Sequence, residues 1–192
     1  MQEYIYIVVS QTGTNIAKAI KFVTRKPYNH VSIACDETLS EMYSFCRNVP
    51  ERPLPASFNQ EIVGCGTLGR FSTIPCEIYQ IPVTHSQRTE ILSMLEHFQQ
   101  NRKIYSYSIL GLCSIFFQIN LSRKHKFVCS QFVAYILQKS GISLPKHASL
   151  CSPEDLRYIP SASLYYEGEL NAYYHGLSGS KQELHPYARQ GA

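Results

Sequence analysis

The chain of 192 residues has no two cysteines in a Cys-x-x-Cys arrangement, although it contains seven cysteines. The spacing typical of zinc sites is therefore missing. The number is odd, and most of the cysteines lie in apolar runs, where cysteine acts as a small hydrophobic residue. We expect no metal site, no cofactor and no disulfide framework. The seven are Cys35, Cys46, Cys65, Cys76, Cys113, Cys129 and Cys151.

The sequence also lacks a long hydrophobic run. Its longest apolar stretch, residues 109–117, is too short to span a bilayer, and we expect it to pack as a short buried helix. The first residues do not combine a basic region with an apolar segment, so no signal peptide is visible. Together with the unpaired cysteines, this predicts a reducing, cytoplasmic setting without an integral membrane segment.

Charged residues are few, at 17% of the chain, and the net charge is only +4. The tightest basic cluster, residues 123–126, is interpreted as a solvated loop, and no nucleic-acid partner is expected. The length suits one folded domain, which we assign to residues 1–170. Residues 171–192 are assigned to a polar C-terminal tail, loose from about Gly176 and dispensable for folding.

Hydrophobic periodicity predicts an α+β fold. Two of the predicted strands form a hairpin around a turn at residues 36–38. Gly141 is expected to cap the helix that begins at Ser130. The predicted strands cover residues 4–10, 30–35, 40–46 and 76–81, and the predicted helices cover residues 15–24, 86–100, 109–117 and 130–140.

Cys129 stands at the start of a predicted helix, where the helix dipole and the free backbone N–H groups favour a thiolate. It lies three residues before Phe132, near the inward stripe of that helix but on its first turn. A buried structural cysteine is the alternative interpretation. The helix-start position and the polar neighbours Ser130 and Gln131 favour an activated nucleophile.

His30 opens a predicted strand on which His30, Ser32 and Ala34 share one face. A nucleophilic thiolate needs an imidazole that moves protons during acyl transfer. The other six histidines lie in predicted loops or on polar helix faces. His30 is therefore the candidate base, with an exposed histidine at a strand end as the alternative.

A third group should orient the imidazole, and the second hairpin strand is its expected source. If the turn is centred on residues 37 and 38, Glu41, Tyr43 and Phe45 share the face of His30. Glu41 is the only carboxylate there and the leading candidate, while Tyr43 is nearer. A turn one residue longer exchanges the faces and makes Ser44 the candidate. A solvated strand charge is the alternative interpretation of Glu41.

Two segments carry a family resemblance. The sequences Asn-His-Val-Ser-Ile at residues 29–33 and Phe-Val-Cys-Ser-Gln-Phe-Val at residues 127–133, in this order, resemble the circularly permuted papain-like hydrolases of the NlpC superfamily. The YiiX/YaeF-like branch is the most similar, and lecithin–retinol acyltransferase-like proteins are more distantly similar. The resemblance extends over roughly residues 4–160.

The resemblance implies a small antiparallel sheet or partial barrel packed against the helix that bears the cysteine. It implies Cys129 as the nucleophile and His30 as the base, with a third polar residue from the strand after His30, in the stretch that begins at Glu41. The leading functional interpretation is a cysteine peptidase, amidase or esterase that acts on a small peptide, an amide or a lipid ester. A lipid or amine acyltransferase and a catalytically silent binding module are the alternatives.

Overall fold

A six-stranded antiparallel sheet forms the centre of the fold. The computed structural model describes residues 2–13, 26–48, 56–121 and 123–183. In spatial order the strands of the sheet are β4, β3, β2, β1, β5 and β8. A short parallel pair, β6 and β7, lies apart from it. The strands are β1 (Glu3–Ser10), β2 (His30–Ala34), β3 (Met42–Arg47), β4 (Ala56–Glu61), β5 (Pro75–Val83), β6 (Ser106–Tyr107), β7 (Lys126–Phe127) and β8 (Ser163–Glu169).

The described residues contain four α-helices, and their ends follow from local capping. The hydroxyl of Thr84 accepts a hydrogen bond from the backbone of Gln87 at the start of the first helix, and Ser108 does the same for Gly111 at the second. Gly141, with φ of 74°, follows the third helix as predicted. The helices are α1 (His85–Gln100), α2 (Ile109–Phe116), α3 (Cys129–Lys139) and α4 (Leu170–Glu183).

Both faces of the sheet are buried, which explains why its central strands are almost continuously apolar. On one face, Ile7, Ile33 and Phe45 belong to a core that includes the inward side chains of α1 and α3. On the other face, alternate strand residues such as Val8 pack with the segment after β4 and with Leu170 at the start of α4. The sheet therefore separates two cores, and α3 is fixed against one of them.

The predicted α+β class with an antiparallel sheet is confirmed. The hairpin of β2 and β3 is also confirmed, as are helices at residues 85–100 and 129–139. The predicted helix at residues 15–24 lies outside the described residues. The expected loose tail differs from the structure, because residues 170–183 form α4 and Leu170 is buried at its start.

The short helix α2 lies where the apolar run predicted one, but the expectation that it is buried is wrong. Its inward side carries only Gly111, Ser114 and Ile115, while both of its first two residues are more than half exposed. Eight residues give little more than two helical turns, so one side of α2 faces the protein and the rest faces outward.

Among the described residues, no helix is both long enough and apolar enough to cross a membrane.

Candidate functional site

His30 is the first residue of β2, and the residue before it fixes its position. The side chain of Asn29 accepts hydrogen bonds from the backbone N–H and the hydroxyl of Thr12, and it donates one to the Thr12 carbonyl. The backbone N–H of Asn29 donates to the carbonyl of Ser10 at the end of β1. These bonds tie the start of β2 to the end of β1, so that His30 is held in a rigid part of the sheet.

Cys129 is the first residue of α3, as predicted, and is 7% exposed. Gln131 anchors this helix start, because its amide nitrogen donates to the carbonyl of Ser149 at 2.8 Å. The first backbone N–H groups of an α-helix have no carbonyl of a preceding turn to bind. The thiol of Cys129 therefore lies beside unpaired donors and the positive end of the helix dipole.

The carboxylate beside His30 is Glu61, the last residue of β4. His30 Nε2 lies 3.0 Å from both Glu61 Oε1 and Glu61 Oε2. Both side chains are buried, with relative side-chain exposures of 11% and 4%. The register pairs Ala34 with Met42 and Met42 with Glu61, so that His30 and Glu61 share one face of the sheet across three strands.

Two further side chains on this face satisfy the Glu61 carboxylate. The Ser32 hydroxyl donates to Glu61 Oε2 and lies 3.3 Å from His30 Nε2. The Cys46 thiol, which donates to the Arg47 backbone carbonyl at 3.8 Å, also lies close enough to lower the pKa of the Glu61 carboxyl. A buried carboxylate needs such donors, because burial without them is costly. Ser32 and Cys46 thus keep Glu61 ionised and aimed at the imidazole.

The pKa values of His30 and Glu61 shift in opposite directions. Burial disfavours the His30 imidazolium, but the Glu61 charge and the hydrogen bonds with Cys129 and Glu61 outweigh it, and the pKa of His30 is raised well above 6.5. Burial likewise opposes the Glu61 carboxylate, but the His30 charge and the hydrogen bonds from His30, Ser32 and Cys46 lower the pKa of Glu61. The pair is therefore an imidazolium and a carboxylate.

Cys129 and His30 come together, as the sequence predicted. The side chain of Cys129 lies close enough to the His30 ring to contribute to the raised pKa of the imidazole. Because Nε2 is bound to Glu61, Nδ1 is the ring nitrogen left to exchange a proton with the thiol. A thiol, an imidazole and a carboxylate that are close together can act chemically as a nucleophile, a base and a group that orients the base.

Glu41 is not part of this arrangement. It lies before β3 with an exposed side chain, and its backbone N–H donates to the Asp36 carboxylate at 3.1 Å. Leu39 has φ of +57°, and the turn runs on to Glu41, so that the first ladder pair is Ala34 with Met42. The assumed register, with position 41 opposite position 34, is therefore wrong by one residue.

The two other candidates for the third role also lie elsewhere. Tyr43 pairs with Ile33 in the ladder and stacks on Phe58 in the core. Ser44 falls on the His30 face, as expected for the longer turn, but its hydroxyl donates to the backbone carbonyl of Val31 at 2.7 Å. Its small side chain leaves the space between β2 and β4 open to the longer side chain of Glu61.

Glu61 was not predicted, because the third group was expected only on the strand directly beside β2. Glu61 ends β4, a strand that was not among the predicted ones and that pairs with β3 in regular register. One signal was available. Ser32 and Ser44 are small polar residues at positions where a buried strand usually carries apolar ones, and small polar residues there indicate a polar neighbour.

A second buried acid supports the chain just before His30. The Glu77 carboxylate accepts two hydrogen bonds from the Arg157 guanidinium, at 2.7 and 2.8 Å, and one from the Tyr28 hydroxyl at 3.1 Å. Tyr28 is two residues before His30. This ion pair therefore fixes the approach to β2 and joins it to β5 and to the short 3-10 helix Asp155–Tyr158.

Within the described ranges, no three His, Cys, Asp or Glu side chains are arranged so that they could hold a metal ion. Comparisons with models of protein families and with curated proteins gave no match to this chain.

Proposed function

We propose that the protein is a thiol hydrolase that cleaves an amide or an ester through an acyl-enzyme formed on Cys129. The observation that carries the proposal is the buried imidazole of His30, held between the Glu61 carboxylate and the thiol of Cys129. A structural histidine rarely needs both partners, whereas a general base needs a proton donor on one side and an orienting group on the other.

The chemistry follows from the positions of these groups. With its proton already held on His30 Nδ1, Cys129 Sγ attacks the substrate carbonyl, which forms the C–S bond and places negative charge on the carbonyl oxygen. The backbone N–H of Cys129 and that of a neighbour on the first turn of α3 can stabilise this oxyanion. The imidazolium then protonates the leaving group as its bond to the carbonyl carbon breaks, which leaves a thioester.

Deacylation uses the same groups. His30 takes a proton from a water molecule, whose oxygen attacks the thioester carbonyl, and keeps that proton while the C–S bond breaks and Cys129 departs as the thiolate. Glu61 does not move a proton in this scheme. Its charge stabilises the imidazolium that is present at the start and is formed again when water is deprotonated, and its two oxygens hold Nε2 so that Nδ1 is left for the thiol.

The resemblance to permuted papain-like hydrolases of the NlpC superfamily supports this proposal. In those hydrolases the histidine also precedes the cysteine, and the cysteine also begins a helix packed on an antiparallel sheet. The carboxylate matches the family pattern in type but comes from β4 instead of the strand directly after His30. The acyltransferase alternative uses the same covalent step, with an amine or a lipid hydroxyl in place of water.

The test is turnover of a panel of p-nitrophenyl esters and aminoacyl anilides. We expect the wild-type protein to hydrolyse at least one member, and Cys129→Ala and His30→Ala each to lose the activity. The double variant should be no worse than either single variant, because the two residues act as a unit. Cys113→Ala, which removes an exposed cysteine, is the matched control and should retain full activity. Unchanged turnover in Cys129→Ala would rule out the proposal.

A further inference from the structure

A patch of exposed apolar side chains surrounds helix α2. Ile109, Leu110, Phe116 and Phe117 are each more than half exposed, and so is Ile119 just beyond the helix. The two phenylalanine rings contact each other edge to face, with centroids 5.0 Å apart. We call these five residues the α2 patch. Contiguous exposed apolar surface of this kind is typical of an interaction site, whereas scattered single residues are not.

The chain around the α2 patch carries positive charge only. Residues 97–153 contain no Asp or Glu, although the whole protein has 14 of them. The same segment has seven basic side chains, so that it is far more basic than the remainder of the chain. These are Arg102, Lys103, Arg123, Lys124, Lys126, Lys139 and Lys146.

Five of these cations lie on the two segments that flank α2. Arg102 and Lys103 come shortly before it, and Arg123, Lys124 and Lys126 follow it, all with exposed side chains. The parallel pairing of β6 with β7 brings the two segments together, since the Ser106 N–H donates to the His125 carbonyl at 3.0 Å. The cations therefore border the α2 patch on the side of the β6–β7 pair.

The α2 patch also lies beside the candidate catalytic site. Tyr107 in β6 lies close enough to Cys129 that the two groups interact electrostatically, and α2 begins two residues later. On its inner side α2 lies against the start of α3, because a Cβ atom at Gly111 would lie 2.7 Å from Gln131 Oε1. A surface that binds the α2 patch is thus held next to the helix end that carries Cys129.

We propose that the α2 patch and its flanking cations dock the protein on the surface of an anionic lipid bilayer. The apolar side chains enter the boundary between headgroups and acyl chains, and the five cations bind the lipid phosphates and carboxylates. Charge argues against a second copy of this chain as the occupant, because a symmetric contact would bring the two sets of cations together. The proposal does not depend on the catalytic one.

The test is co-sedimentation of the full chain with vesicles of phosphatidylcholine alone or with about 30% phosphatidylserine, a fraction that gives a strongly negative surface. We expect binding to the anionic vesicles that weakens in high salt, and little binding to neutral ones. Phe116→Ser/Phe117→Ser should weaken binding by about tenfold or more, since binding scales with the apolar area inserted. Lys124→Glu/Lys126→Glu should abolish the preference for anionic lipid.

Leu164→Ser is the matched control, because Leu164 is also about half exposed but lies on β8, away from α2. It should bind like the wild type. All of the substituted side chains are exposed, so thermal unfolding should be unchanged and a failure to fold would be seen directly. The proposal is overturned if the wild type does not bind anionic vesicles, or if the phenylalanine variant binds them equally well. It is also overturned if that variant instead abolishes a dimer seen by sedimentation velocity.

Discussion

His30 Nε2 lies 3.0 Å from each oxygen of the Glu61 carboxylate, although the two residues are 31 positions apart in the chain. The contact brings together the first residue of β2 and the last residue of β4, across the strand that separates them. It orients the imidazole toward Cys129 and keeps it protonated.

Replacing Glu61 by Gln should lower turnover of a responsive ester by at least about a hundredfold, because an amide does not stabilise the imidazolium as a carboxylate does. The pKa of His30 should fall as well, since the Glu61 charge is one of the causes that raise it. Steady-state kinetics and NMR titration of the His30 ring measure the two effects.

Glu41→Gln is the matched control for this experiment. The substitution is chemically identical, but the Glu41 side chain is exposed and lies outside the His30 contact. Its turnover and its His30 titration should match those of the wild type. Loss of activity in Glu41→Gln with full activity in Glu61→Gln would show that the wrong carboxylate has been assigned.

The same ion pair predicts how stability depends on pH. The raised pKa of His30 stabilises the fold fully below about pH 6.5, and this contribution is lost as the pH rises through the folded value. The lowered pKa of Glu61 contributes above about pH 4.5 and is lost as the pH falls through its folded value. The stabilising contributions of His30 and Glu61 are therefore both present between about pH 4.5 and 6.5.

Glu61→Gln should therefore destabilise the protein most between about pH 4.5 and 6.5, by roughly 3 kcal/mol, as expected when one partner of a buried pair is removed. Urea unfolding of variant and wild type at a series of pH values measures the difference. It should shrink at alkaline pH, where His30 becomes neutral in the wild type. A difference that is constant with pH would contradict the ion pair.

Alkylation should distinguish Cys129 from the other cysteines. Burial raises the pKa of Cys35, Cys76 and Cys151 to about 12, so these thiols stay protonated near neutral pH. Cys129 instead lies at the start of α3, next to the His30 imidazolium. Iodoacetamide should therefore modify Cys129 first, and peptide mapping by mass spectrometry identifies the site.

Two controls make the alkylation experiment specific. His30→Ala should slow the modification of Cys129 without changing that of Cys113, which is exposed and far from the imidazole in sequence. Preferential labelling of Cys65 or Cys46, with Cys129 inert, would favour a catalytically silent binding module.

The sequence predicted Cys129 and His30 because each carries a local signal. A cysteine at the first turn of an amphipathic helix and a histidine that opens a strand are both visible within ten residues. Glu61 carries no such signal, because its role depends on the register of two strand pairs and on a third strand. A single left-handed residue, Leu39, shifted the hairpin by one position and moved Glu41 out of the site.

The burial of apolar segments was also only partly predictable. The hydrophobic runs of β1 and α3 are buried as expected, but the most apolar helix, α2, is largely exposed. Hydropathy cannot distinguish the two cases, since it reports the preference of a side chain and not whether the fold offers it a partner. Whether an apolar helix is buried or exposed is decided only by how the helices and strands pack together.

The start of α4 gives a prediction about stability. Leu170 is 1% exposed and packs in the core on the face of the sheet opposite α3. Its N–H donates to the Ile74 carbonyl at 3.0 Å. Leu170→Ala should lower the free energy of unfolding by about 2–5 kcal/mol. Leu164→Ala, at an exposed position of β8, should change it by less than about 0.5 kcal/mol. Equal effects in urea unfolding would show that α4 does not dock.

The most direct test of the account is the mass of the acyl-enzyme. Wild-type protein is mixed with a p-nitrophenyl ester that it turns over, quenched in acid within the first turnover and digested. We predict one added acyl group, carried as a thioester on the peptide that contains Cys129, absent in Cys129→Ala and slower to form in His30→Ala and Glu61→Gln. Turnover of the ester without acylation of Cys129, or acylation spread equally over the exposed Cys65 and Cys113, would contradict it.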